Sequence, residues 1–567
     1  MIIEAGEILV RHGLIDSEQL KLARAEANGA SVVQTAIKNG YVDEDAAMRV
    51  LADEVGLEFI DLRNIESDLS LLDTFPQKLI YRHAIFPIRQ DDEGLHVATS
   101  NPLDLYPLDE AAAATHQTVV PVVAEKSEIA KLIKKHLGVG SETVEGLMAA
   151  KESDDDIELL EELETDGSEL SEMAQEASVV RLVNEILVEA IDSRASDVHV
   201  ESQSTGIVVR YRIDGILHTQ PVPVEINRFQ AAIISRLKIM AKLNIAEKRL
   251  PQDGRIKLKV HRREIDIRLS VIPMIHGESL VMRILDKGSM KFDLRGLGMD
   301  EHTYKIYSKM IRLPHGIILV TGPTGSGKTT TLYSSLLEIK SPSNKIITTE
   351  DPVEYQLDGI NQIQVHAKIG LTFAASLRSI LRHDPDVVLV GEIRDAETAE
   401  NAIQASLTGH TVFSTLHTND ASSAFTRIVD MGVEPFLVAS TVEGVMAQRL
   451  VRRLCPDCKV PYEANRDDLP SDFPWEQLDG QPLYHSAGCR TCRNVGYTGR
   501  VGIYELLTAN EEVRQLAHDR VSSQEIKRAA VRGGMRSLRI DAWNKTIEGK
   551  TSVDEALRVT KGDVLEV

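Results

Sequence analysis

A short apolar run at residues 316–321 (GIILVT) ends at a glycine. It is followed at once by Gly322-Pro323-Thr324-Gly325-Ser326-Gly327-Lys328-Thr329, then by Thr330 and helix-forming residues to position 337. No other feature limits the fold so tightly. Glycines between a strand and a helix N-terminus let backbone N–H groups curl around phosphate oxygens at the positive end of the helix dipole. Lys328 is placed to reach β- and γ-phosphates, and Thr329 to offer a hydroxyl to Mg2+. A glycine-rich turn that fits by accident is the bland alternative, and the flanking strand and helix argue against it. The run therefore predicts an ATP-binding α/β domain on a parallel sheet covered on both faces.

Three further apolar strands are expected at residues 345–349, 386–390 and 411–416. The first ends in Glu350-Asp351-Pro352-Val353-Glu354, the second in Gly391-Glu392, the third in His417. Ligands in open α/β sheets bind beyond the carboxyl ends of the strands, so these groups belong at the edge that carries the glycine-rich loop. Phosphoryl transfer needs positioned charge and an oriented water. Glu392 suits holding magnesium through water and polarising the nucleophile, Glu354 suits accepting the water's proton, and His417 suits bonding the γ-phosphate. The division of base and metal roles between the two glutamates stays open.

A chain of 567 residues exceeds what one core supports. Residues 1–140 read as an N-terminal α/β unit, opened by a helical repeat over 1–60 in which residues 8–16 match 36–43. Each copy is a helix stopped by glycine, then an aspartate able to cap the next helix. Residues 141–177 read as a linker, because 152–176 is crowded with Asp and Glu and has no Lys or Arg. Such a block cannot bury a core, and a flexible tether or an acidic docking tail is the expectation. An α+β domain is expected over 178–290, the ATPase core over 295–450, a cysteine module over 451–500 and a helical region over 501–567. The formal net charge of -22 argues against a nucleic-acid partner. No segment has the roughly 18 to 20 apolar residues of a membrane span, nor a signal peptide's pattern, which places the chain in the cytoplasm.

The four cysteines form two Cys-x-x-Cys pairs, Cys455/Cys458 and Cys489/Cys492. In a reducing compartment that spacing points to metal before disulfides, and four thiolates close a tetrahedral structural Zn2+ site. The wide gap between the pairs calls for an inserted piece at 461–486. Arg452, Arg453 and Lys459 beside the first pair are expected to steady the thiolates. A nucleic-acid-binding zinc ribbon is the rival reading, and the 4% aromatic content counts against it.

Together GPTGSGKTTTLY, ITTEDPVEY, LRHDPDVVLVGEIRDAETA and STLHTND resemble the type II/type IV secretion ATPases of the GspE/PilB branch. The resemblance covers nearly the whole chain. It implies a RecA-like P-loop domain, a preceding PAS-like α+β domain, an N-terminal docking domain and a zinc-ribbon insertion. Residues 350–354 would be the Asp box, Gly391-Glu392 an atypical Walker B, and 409–419 the His box. Arg255 and Arg268 would reach a neighbouring subunit's nucleotide as arginine fingers, within a homohexamer that works on an inner-membrane platform protein at the cytoplasmic face. The tetracysteine element points to an assembly motor, for either secretion or pilus extension. Some relatives bind cyclic di-GMP through paired repeats led by Arg-Leu-Gly. Here the copies open with Glu4-Ala5-Gly6 and Ser31-Val32-Val33, so the arginine that phosphate favours is missing from both, and a docking role is preferred. A DNA-uptake motor is the alternative from another class, and no motif supports it.

Overall fold

The computed structural model describes residues 5–27, 31–63, 69–137, 157–159, 177–222, 224–286 and 292–560. They fall into two compact units, Met1–Gly288 and Ser289–Val567.

The first unit begins with the helical repeat. Helices Ala5–Arg11 and Val32–Lys38 are each followed by a glycine in the left-handed region, Gly13 and Gly40. Asp16 and Asp43 then cap helices Ser17–Glu26 and Glu44–Val55 by accepting backbone N–H bonds, as the repeat predicts. Next comes a three-stranded sheet of β1 (Phe86–Gln90), β2 (Leu95–Thr99) and β3 (Val119–Val123), with β1 antiparallel and β3 parallel to β2.

A seven-stranded antiparallel sheet follows, built from β4 (Ile157–Leu159), β5 (Ala195–Gln203), β6 (Gly206–Ile213), β7 (Ile216–Gln220), β8 (Gln252–Val260), β9 (Arg263–Met274) and β10 (Gly277–Asp286). Its order is β4-β8-β9-β10-β5-β6-β7. Alternate residues such as Ile265, Ile267, Leu269 and Val271 are buried with helices Ala177–Asp192 and Gln230–Met240. The first of these helices has its apolar residues at three- and four-residue spacing, which gives it one buried stripe. Tyr211 fixes it to the sheet by donating to the Ile186 carbonyl at 2.9 Å. The expectation of an unstructured tether over 141–177 needs one correction. Residues 157–159 form β4, pairing Ile157 with Val260 and Leu159 with Leu258. By pairing there, this piece of the acidic stretch covers the edge of β8. The rest of the acidic stretch lies outside the described residues.

The second unit is organised on β11 (Gly316–Thr321), β12 (Ile346–Glu350), β13 (Asn361–Gln364), β14 (Val387–Val390), β15 (Thr411–Leu416) and β16 (Val442–Leu454). A small hairpin, β17 (Lys459–Tyr462) and β18 (Leu483–Ser486), precedes the last strand, β19 (Tyr497–Thr508). The main sheet runs β13-β12-β14-β15-β11-β16-β19, parallel except for β19. Alternate residues of β11 enter different apolar layers, Ile317 and Leu319 on one face and Ile318 and Val320 on the other. That is why its sequence is continuously apolar. The sheet extends past the expected boundary at 450. The region expected to be helical over 501–567 begins inside β19, which pairs with β16 from Gly444 to Leu454. Among the described residues no helix is long and apolar enough to cross a membrane.

Candidate nucleotide site and four-cysteine centre

The glycine-rich loop leaves β11 at Gly322 and enters helix Lys328–Ile339. Gly322 has φ +147°, and a Cβ there would lie 2.5 Å from the Gln448 carbonyl. Gly327 has φ +90°, and its Cβ would meet Gln448 Nε2 at 2.8 Å. Both positions therefore require glycine. Lys328 folds back on the loop, donating to the Gly322 carbonyl at 2.8 Å and the Pro323 carbonyl at 3.1 Å. Burial pushes its pKa down, the Glu392 carboxylate opposes that shift, and the Arg449 guanidinium adds to it. Pro323, Thr324, Gly325 and Thr329 are exposed, Thr330 is half-buried, and Ser326 is buried with no hydrogen-bond partner for its hydroxyl.

The strand ends converge on this loop. Gly391 donates to the Thr349 carbonyl at 2.8 Å, and the Thr415 hydroxyl to the Gly391 carbonyl at 2.7 Å. The start of the Glu392 loop is thereby clamped between the ends of β12 and β15. Glu392 Oε1 lies 2.5 Å from Arg394, and its Oε2 lies 3.3 Å from His417 Nε2, an ion-pair distance without hydrogen-bond geometry. Glu392 Oε2 is shielded from solvent and accepts no hydrogen bond, which leaves it open to a cation. Glu354 is half-buried on the loop after β12.

Several contacts that frame the site were not found from the sequence, although Glu350 lies in the 350–354 box and Thr418 and Asn419 in the 409–419 box that the resemblance marks. Glu350 is buried and accepts from the Tyr333 hydroxyl, from Thr348 at 2.6 Å and from Gln362 Nε2 at 3.1 Å. Gln362 also donates to the Tyr355 carbonyl and accepts from Leu357 N–H. Glu350 therefore ties the phosphate-loop helix to the segment carrying Glu354. On β16, Gln448 accepts from the Thr331 hydroxyl at 2.8 Å. Arg449 donates to the Asn419 carbonyl at 2.9 Å and to the Gln448 carbonyl at 3.0 Å. Thr321 and Thr418 share a 2.6 Å hydroxyl contact. The signal was the polar pair Gln448-Arg449 interrupting a strand-like run, which looks like any surface-facing position until β16 is known to lie beside β11.

Arg255 and Arg268 lie in the first unit. They are direct cross-strand partners on β8 and β9, and Arg268 is in turn opposite Arg283 on β10. Arg255 is exposed and forms no ion pair among the described residues.

Cys455, Cys458, Cys489 and Cys492 bring four sulfurs within 4.8 Å of one another. Cys455 Sγ lies 3.8 Å from Cys489 Sγ, and Cys458 Sγ lies 3.7 Å from Cys492 Sγ. Four soft donors at this spacing fit a closed tetrahedral zinc site. Two of the three cations expected to steady the thiolates, Arg452 and Lys459, do something else. Arg452 bonds Glu555 through Nε and NH2 at 3.0 and 2.8 Å and stacks on Tyr497. Lys459 donates to the Gly549 carbonyl at 3.0 Å. Backbone N–H groups take the expected role, Gly488 toward Cys458 at 3.3 Å and Gly496 toward Cys492 at 3.2 Å.

Residues 172–558 match the family model described as type II/IV secretion system protein, and residues 55–143 match the MshEN domain. The chain is 41% identical to a type IV pilus assembly ATPase PilB from Myxococcus xanthus, over 98% of this chain and 99% of that protein. It is 52% identical to a type II secretion system protein E from Pseudomonas aeruginosa, over 69% of this chain and 78% of that one. A crystal structure of the pilus retraction motor PilT with bound ADP is 26% identical, covering 67% of this chain and 97% of that chain at a TM-score of 0.45.

Proposed function

The chain belongs to the type II/IV secretion system protein family and is an ATPase of type II secretion or type IV pilus assembly, and on that premise we propose how its residues divide the work. The phosphates lie in the loop 322–329, where Lys328 leaves the Gly322 and Pro323 carbonyls and turns to the β- and γ-phosphates. Thr329 and Glu392 are placed to hold magnesium, which when bound offsets charge on the transferring group. Glu354 and Glu392 between them orient and deprotonate the attacking water, and His417 contacts the γ-phosphate side. Arg255 and Arg268 complete the site of a neighbouring copy, which makes the working form a ring, proposed as a hexamer. Zinc at the four cysteines holds the β17–β18 module and takes no part in chemistry.

The observation that carries this reading is the Glu392 carboxylate within electrostatic reach of Lys328 and 3.3 Å from His417, with Oε2 open to a cation. RecA-like, PAS-like and docking roles are the proposed identities of 295–450, 178–290 and 1–140, with 451–500 the zinc module and 501–567 the helical region. Work is delivered to a membrane platform protein from the cytoplasmic side. The MshEN match covers residues 55–143, and neither copy of the repeat has the arginine that a cyclic dinucleotide phosphate favours. Glu392→Gln tests the chemistry. Phosphate release should fall by about 10²-fold or more while nucleotide still binds. Wild-type turnover in that variant would remove Glu392 from the mechanism.

A further inference from the structure

The last strand of the second unit carries an acid where its pattern calls for an apolar residue. Glu505 stands two residues from Ile503 and from Leu507 on β19, and like them it is buried, with 1% of its surface exposed. A carboxylate taken out of water is costly unless donors and opposite charge surround it. The Ala421 N–H donates to its Oε1 at 2.8 Å, and the Leu538 N–H donates to its Oε2 at 3.4 Å. Lys527 Nζ lies 4.0 Å from Oε2. Leu538 is the first residue of helix Leu538–Ile547, so the positive end of that helix also offsets the charge.

The bond to Ala421 reaches the nucleotide site. Ala421 closes the segment that follows β15 and opens with His417. This segment is pinned along its length. The Thr418 N–H donates to the Thr321 hydroxyl at 2.9 Å, and the Thr418 hydroxyl donates to the Asp420 carbonyl at 2.9 Å. Arg449 holds the Asn419 carbonyl from β16, and Glu505 holds the far end from β19. With its backbone fixed in this way, the segment keeps His417 facing Glu392 at 3.3 Å.

Glu505 also acts on the same place through charge. Arg449 Nη1 lies 3.0 Å from where a Cβ on Gly322 would stand, so its guanidinium sits at the start of the phosphate loop. Burial pushes the Arg449 pKa down, and the Glu505 and Asp420 carboxylates oppose that shift. The guanidinium that grips Asn419 is thus steadied by the carboxylate that grips Ala421.

We propose that Glu505 is a positioning residue for ATP hydrolysis, which holds the segment from His417 to Ala421 at the phosphate loop and ties it to helix Leu538–Ile547. It acts through His417 and not on the nucleotide itself. This rests on the reading of His417 as a group on the γ-phosphate side.

The test uses full-length chain. Glu505→Gln keeps the size of the side chain but has one acceptor oxygen and no charge, so it cannot satisfy Ala421, Leu538 and Lys527 together. Its kcat should fall at least about fivefold, with affinity for a non-hydrolysable ATP analogue within about twofold of wild type. Circular dichroism checks that the variant is folded under the assay conditions. In a His417→Ala background the same substitution should lower kcat by less than about twofold, because the group it positions is gone. A buried acid of purely structural use would lower the urea midpoint and leave the kcat of the folded chain at wild type, which overturns the proposal. A full further fall in the His417→Ala background also overturns it, since Glu505 would then act elsewhere. Wild-type kcat in His417→Ala alone removes His417 from the chemistry and the proposal with it, whereas wild-type kcat in Glu505→Gln alone removes only the proposal. Should Glu505→Gln fail to fold, amide exchange of the wild-type chain decides. Residues 417–421 and 537–541 should gain protection together when the analogue is added, and protection confined to 417–421 overturns the proposal.

Discussion

Glu350 shows how a single carboxylate can matter without touching the reacting atoms. Its three donors come from the phosphate-loop helix, its own strand and β13, so it holds the Glu354 segment by its origin. Burial pushes the Tyr333 phenol well above its ordinary range, and the Glu350 charge adds to that, so the hydroxyl stays a donor at every working pH. Tyr333→Phe removes one donor from a buried acceptor, a loss of about 1–3 kcal/mol. Its urea midpoint should fall, and kcat should fall more than nucleotide affinity, because the missing contact positions the loop and does not bind phosphate. An unchanged kcat with an unchanged midpoint would mean that Glu350 is held well enough by Thr348 and Gln362 alone. None of this was legible in the sequence. Glu350 reads there as one more acid of the run 350–354, and only the fold shows that it points inward while Glu354 sits half-buried on the following loop.

Among the elements, the strands that deliver chemistry were the easiest to read. Residues 386–390 and 411–416 are short, apolar and β-branched, and each stops at a polar group, so β14 and β15 and the positions of Glu392 and His417 followed from pattern alone. The same logic failed for β19. It lies at the sheet edge, is antiparallel, and is separated from β16 by the whole cysteine module, so no local signal joins it to the nucleotide sheet. β4 escaped for a related reason, since three residues with two apolar positions are lost in a like-charge stretch. The cysteine module shows a third kind of miss, in which charge near a thiolate was assigned by sequence distance. Arg452 instead joins Glu555, and the Tyr497 hydroxyl meets the Ser552 hydroxyl at 2.7 Å, so the module is bonded to helix Val553–Val559 and its cap. Cys489→Ser should therefore lose bound zinc and speed amide exchange in residues 538–559 as well as in the module. Nucleotide affinity at the loop should stay near wild type. Retention of one zinc per chain would remove the four-cysteine assignment.

At the scale of the whole molecule the question is whether each site is complete within one chain. If Arg255 acts on a neighbour, Arg255→Ala and Lys328→Ala are each inactive alone but complement each other when mixed. Random 1:1 assembly leaves about a quarter of the interfaces with both an intact lysine and an intact arginine. Turnover should reappear on mixing in roughly that proportion. A mixture as inactive as its parts would place both residues in one chain's own site. One feature of the second unit bears on how such chains tolerate change. β16 carries Gln448 and Arg449 against the phosphate loop and, a few residues later, hands over to Cys455. Between them the strand is locked to β19, with a single register irregularity between Arg452 and Leu454. Because side chains alternate, one inserted residue would turn Arg449 or Cys455 to the opposite face unless that irregularity absorbed it. The distance from the arginine to the first cysteine is thus a ruler, fixed to the residue, by which the strand ties the phosphate loop to the four-cysteine centre.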